Sequence, residues 1–110
     1  MNQEEKQNIL AELGGLSEDI YDELLKEHLE QTGVRCQEID AALVAEDIDQ
    51  AGHIAHSIKG ASGNLRLHEL YDKAKAVEQS AKNKEDVDSI RLKLDLLHRV
   101  TEKCKSDLLE

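Results

Sequence analysis

The chain has 110 residues and a formal charge of −10, from 24 acidic and 14 basic side chains, with two Tyr and no Phe, Trp or Pro. So negative and aromatic-poor a chain argues against a nucleic-acid binder, because phosphates call for Lys and Arg and single strands call for stacking platforms. Without Pro no helix need break, and few β-branched or aromatic residues argue against sheet, so the composition reads as all-α.

The first predicted helix lies within Met1 to Leu13, with Ile9, Leu10 and Leu13 as its apolar side. Gly14-Gly15 ends it, since Gly tolerates the left-handed backbone of a helix stop. Ser17 is then a good N-cap, with Glu18 and Asp19 at the positive end of the next helix dipole. That helix runs from Glu18 to about Ala45. At about 100° per residue, Tyr21, Leu25, Leu29, Thr32, Cys36, Ile39 and Leu43 share one stripe. Ile20 and Leu24 lie off it and are expected to meet the first helix. Gly33 is a candidate soft point or kink. Asp47 to Gln50 reads as a capping box opening a third helix, with Ala51, Ala55, Ile58, Ser62 and Leu65 on one face and Ile54 beside it. Leu67, Leu70, Ala74 and Val77 mark a fourth helix. Val87, Ile90, Leu94, Leu97, Thr101, Cys104 and Leu108 mark a fifth. Four long amphipathic helices with short links pack as an antiparallel four-helix bundle, with the short N-terminal helix on one end or side. One domain over 1–110 is expected, its core about 17–108.

The longest apolar run, Ala41 to Ala45, is far short of a membrane span. No apolar signal segment follows the polar start Met1 to Lys6. Cys36 and Cys104 form no paired motif and suit a reducing, cytoplasmic setting; both fall on core stripes and read as buried inert thiols.

Chemistry concentrates in Ala55-His56-Ser57-Ile58-Lys59-Gly60-Ala61-Ser62-Gly63. With the core direction set at Ala51, His56 falls near ~140°, Lys59 near ~80°, Gly60 near ~180° and Gly63 near ~120°. These four, with Gly52, are expected on a solvent-facing side. Two glycines inside a helix cost roughly 1 kcal/mol each relative to Ala. What Gly60 and Gly63 supply is steric access for a partner approaching the imidazole. An exposed imidazole is a competent nucleophile at neutral pH, and the Lys59 ammonium would stabilise a dianion attached to it.

The string His-x-x-Lys-Gly, preceded by Ala and followed by small residues, resembles the histidine-containing phosphotransfer (HPt) domain of multistep two-component phosphorelays. Asp47 sits where that family often starts this helix with an acid. Leu70, Ala74, Val77 and Glu78 fit its next helix, which commonly carries an apolar-Glu pair. The layout matches from Ser17 to Leu108. The resemblance implies a phosphoryl group carried on His56, through Nε2, and exchanged with the aspartate of a response-regulator receiver domain, with a hybrid sensor histidine kinase as one source of that receiver. It implies no kinase activity and no cofactor bound by this chain; Mg²⁺ would sit on the receiver. One position departs from the pattern. The family usually has Gly ten residues after the histidine, and here that residue is Arg66. Gly63 and Asn64 are then available to make the helix end, and Arg66 is a candidate second cation toward the phosphoryl group or the partner.

Two other readings compete. The chain is alternatively a helical module that docks on a receiver or another signalling partner without being phosphorylated. A metal site on His53 and His56, one turn apart, lacks a third ligand at matching spacing, so no metal residues are assigned. His28, His68 and His98 show no pattern and read as surface or boundary residues, and Leu92 and Leu96 fall off the last helix's stripe.

Overall fold

Each link between helices joins a residue that stops one helix to a residue that starts the next. In a computed structural model the backbone is described for residues 1–109 and the side chains for residues 1–108; the expected domain end at residue 110 lies outside the described residues. The helices are α1 (Gln3–Glu12), α2 (Glu18–Val44), α3 (Ile48–Asn64), α4 (His68–Lys82) and α5 (Val87–Leu109), with no strand among the described residues. None of these helices is long and apolar enough to cross a membrane.

Four of the starts are capped by a side chain. Asn2 accepts from the Glu5 N–H at 2.8 Å, Ser17 from Ile20 at 3.2 Å, Asp47 from Gln50 at 3.2 Å and Asp86 from Ser89 at 2.8 Å. The acidic first turns Glu4-Glu5 and Glu18-Asp19 stand at the positive ends of their helices.

The ends of α1 to α4 share one turn. A residue in the left-handed region follows each: Gly14 at φ 80°, Glu46 at 58°, Arg66 at 62° and Lys84 at 55°. At α3, the Arg66 N–H reaches the Gly63 carbonyl at 3.1 Å and the Leu67 N–H reaches the Ser62 carbonyl at 2.9 Å. This paired bonding satisfies two carbonyls that the helix end would leave orphaned. Arg66 therefore makes the turn itself, while Gly63 and Asn64 stay helical. It also explains why glycine suits this position.

Helices α2, α3, α4 and α5 form a closed ring, each packed on its two neighbours, and α3 meets α4 most extensively. The molecule is 42 Å long, about the length of the 27-residue α2 at ~1.5 Å per residue. α2 runs through Gly33 without a break. The core is aliphatic: Ile39, Leu43, Ile58, Leu70, Val77, Ile90 and Leu97 are fully buried around Ala51, Ala55 and Ala74. Two buried hydroxyls bond back to their own helix, Thr32 to the His28 carbonyl and Thr101 to the Leu97 carbonyl, both at 2.8 Å. Cys36 is buried and Cys104 half-buried; both are free thiols. Burial pushes the Cys36 thiol up to about 11, so it stays protonated and unreactive.

A second cluster closes one end. Leu10 of α1 packs on Tyr21 and Leu25 of α2, with Leu13, Leu16, Leu65 and Leu108 around them. Here Ile20 and Leu24 depart from expectation: they are 50% and 40% exposed. α1 covers the same stripe that faces the bundle, so Tyr21 and Leu25, one residue further round, make the contact instead. His28 departs too. It is buried, with Nε2 2.9 Å from Ser62 Oγ of α3, because it lies three residues after Leu25 on the inward face. His68 and His98 are exposed, as are Leu92 and Leu96.

Candidate functional site

The site sits on the flank of α3 that adjoins α4. Ala51, Ala55, Ile58 and Ser62 anchor α3 in the core, which turns His56 outward with 67% of its side chain exposed. Gly60 is also exposed, and a Cβ there would meet nothing within 4 Å. Lys59, Gly52 and Gly63 depart from the expected solvent face. A Cβ on Gly52 would lie 3.2 Å from Ala81 Cβ, and one on Gly63 would lie 3.3 Å from Tyr71 Cδ2. Their phase near ~100–120° puts them at the edge of the helix that α4 covers. Gly63 thus serves close packing of α3 on α4, and only Gly60 leaves open space beyond His56.

That close approach brings in a residue whose role periodicity did not reveal. Glu78 of α4 reaches across to α3, where its Oε2 takes a hydrogen bond from His56 Nδ1. Its Oε1 accepts from Lys59 Nζ at 2.6 Å. Burial alone would raise the Glu78 pKa, but the bonds from Lys59 and His56 outweigh it and hold the carboxyl below its ordinary value. The bond to Glu78 in turn raises the Lys59 ammonium. An ionised carboxylate can only accept, so the proton of the neutral ring belongs on Nδ1. Nε2 then carries the free lone pair, and it has no hydrogen-bond partner among the described residues. The sequence signal for Glu78 was slight. It follows Val77 by one residue, off the Leu70–Ala74–Val77–Ala81 stripe, and only the pairing of α3 with α4 shows what it faces.

Arg66 is not at this site. Its Nε donates to Glu12 Oε2 of α1 at 3.0 Å, and its Nη1 donates to the Gly63 and Asn64 carbonyls at 3.0 and 3.4 Å. It lies past the end of α3, whose last residue, Asn64, is already about 12 Å from His56 along the helix axis. Its guanidinium fastens α1 to the end of α3 rather than facing the imidazole.

Beside His56, on the side away from Lys59, α3 and α4 enclose a groove of about 380 Å³ lined by Asp49, Gly52, His53, Glu78 and Lys82. Asp49 is ion-paired with Lys84, which lowers its pKa. Among the described residues no three His, Cys, Asp or Glu side chains gather as a metal cluster.

Chemically, the arrangement is an accessible ring nitrogen, a carboxylate that holds the opposite nitrogen's proton, and an ammonium beside them. Such a group attacks an electrophile and keeps the resulting cationic ring next to a counter-charge. The family model of the Hpt domain matches residues 23–103. Neither the curated proteins nor the solved structures returned a match.

Proposed function

The chain belongs to the Hpt domain family, whose domains act in phosphotransfer within phosphorelays, and from that premise we propose that His56 is the residue that carries the phosphoryl group. The single observation that supports it best is the bond from His56 Nδ1 to Glu78, which leaves Nε2 outward as the nucleophile. In the proposed step, the Nε2 lone pair attacks the phosphorus of a receiver's aspartyl phosphate. The N–P bond forms, the P–O bond to the aspartate breaks, and the aspartate leaves as a carboxylate. The ring, now cationic, keeps its proton on Nδ1, where it is donated to Glu78. Lys59 lies beside the added dianion, and Gly60 leaves room for the receiver. Mg²⁺ belongs to the receiver, so this chain contributes positioning and charge neutralisation, the main needs of a phosphoryl transfer.

The test is to incubate the protein with phosphorylated receiver domains and Mg²⁺. An acid-labile, base-stable phosphate on the protein, lost in His56→Gln, is expected. No label with any of a broad receiver panel, or label that survives in His56→Gln, would overturn the reading.

A further inference from the structure

Large apolar side chains in water are ordinary when single and informative when they adjoin. Two pairs adjoin among the described residues, each one helical turn apart. Ile20 and Leu24 on α2 are 50% and 40% exposed, and Leu92 and Leu96 on α5 are 69% and 45% exposed. What surrounds the pairs differs. The α2 pair continues at helical spacing into Glu27, Gln31, Val34 and Glu38, all exposed, with no base on the stripe. The α5 pair lies between opposite charges. At about 100° per residue, Asp88, Leu92, Leu96 and Arg99 fall within about 80° of one another, on the side of α5 turned away from the buried Ile90, Leu94 and Leu97. Asp88 and Arg99 are exposed and have no ion partner among the described residues.

This stripe is complementary to itself in one arrangement. When two copies of α5 pack antiparallel, about a two-fold axis beside Lys93 and Leu94, Leu92 meets Leu96 of the second copy and Asp88 meets its Arg99. Each contact then occurs twice, as a closed two-fold interface requires. Parallel packing would set Asp88 on Asp88 and Arg99 on Arg99. We infer that α5 is the contact face of a dimer of this chain, antiparallel across Leu92 and Leu96. α5 packs on α2 and α4, with α3 across the ring, so His56 of each copy stays open. The seam from Asp88 to Arg99 is about 17 Å long, which puts the buried area at the low end for specific interfaces, below about 1,200 Å² in total. Each chain also carries −10, and that repulsion opposes association until salt screens it. The dimer is therefore a weak one, with a Kd on the order of 100 µM.

The test is sedimentation equilibrium of the intact chain from about 10 µM to about 1 mM in about 0.15 M salt. A monomer–dimer equilibrium is expected. Leu92→Ser with Leu96→Ser should weaken it at least about tenfold, with helix content and urea midpoint unchanged because both side chains already stand in water. Asp88→Arg alone and Arg99→Asp alone should each weaken it roughly threefold to tenfold, two pairs being lost at once. The two together in one chain should restore it, since the pairs re-form with their signs reversed. Ile20→Ser with Leu24→Ser should leave it unmoved.

A chain that stays monomeric at the highest concentration overturns the inference. So does a dimer that survives the loss of both α5 leucines, or one that is lost with Ile20 and Leu24 instead. Charge variants whose combination does not restore the dimer overturn the antiparallel seam. The dimer and the phosphoryl transfer fail independently: neither Leu92, Leu96, Asp88 nor Arg99 touches His56 or Glu78, and labelling of His56 is a separate measurement.

Discussion

The His56 ring has one fixed nitrogen and one free one, and Glu78 decides which is which. Its carboxylate holds the tautomer, and in the proposed transfer it would also balance the charge that the ring gains when Nε2 is substituted. These roles separate by substitution. Glu78→Gln keeps an oxygen that can accept from Nδ1 but removes the charge. A roughly tenfold loss in the single-turnover transfer rate is expected, which corresponds to about 1.4 kcal/mol. Glu78→Ala also frees the ring to rotate and releases Lys59, so its loss should be larger. Rapid-quench measurement of labelled His56 checks both, and equal rates for wild type and Glu78→Gln would refute the charge-balancing role. At this scale the sequence was legible where chemistry and spacing coincide, at His56 and Lys59. It was not legible where a contact spans two helices. The reach from α4 to Nδ1 depends on how closely α3 and α4 approach, and Gly52 and Gly63 set that distance against Ala81 and Tyr71.

Helix ends were the other place where sequence and structure parted. The starts were readable, because Ser17 and Asp47 are side chains that bond to their own helix. Three of the four left-handed stops carry no glycine to announce them. A side chain in that conformation costs about 1–2 kcal/mol, and glycine returns about half of the gain through greater unfolded freedom. Glu46→Gly should therefore stabilise the fold by about 0.5–1 kcal/mol in urea denaturation. Arg66→Gly should gain less, because it also gives up the ion pair with Glu12. The α2–α3 interface supplies a second test. Burial, aided by Arg35, holds the His28 pKa below its ordinary 6.5. As pH falls through 6.5 the unfolded chain takes up a proton that the folded chain refuses, so stability drops; above 6.5 both are neutral and the effect vanishes. The depressed carboxylates act lower: the stabilisation is present above 4.5 for Glu78 and Glu85 and above 3.8 for Asp49, and is lost as pH falls further. The drop in urea midpoint between about pH 7.5 and about pH 5 should shrink in His28→Gln. An unchanged drop would show that His28 is not its source.

Across the whole molecule, a chain at −10 works through a site whose own charges are matched. Net charge governs solubility and long-range repulsion, whereas a phosphoryl group on His56, as proposed, would respond first to nearby cations such as the Lys59 ammonium. The bundle was legible in the sequence because four stripes at helical period admit few other packings. The seat of α1 was not, because Ile20 and Tyr21 are both apolar and only packing chooses between them. α1 precedes the family-matched residues 23–103 and touches the bundle at its end, through Leu10 and the Glu12–Arg66 pair. His56 and Glu78 stand on α3 and α4, held by a separate core cluster. Stability and chemistry should therefore come apart. Leu10 is 6% exposed, so Leu10→Ala is expected to cost about 2–4 kcal/mol in denaturant. That lies within the roughly 5–15 kcal/mol that a domain of this size commands, so the protein stays folded. Under native conditions its initial rate of His56 phosphorylation should remain within twofold of wild type. A matching loss of rate would mean that α1 reaches the site through the α3 end, along the bonds that Arg66 makes to Gly63 and Asn64.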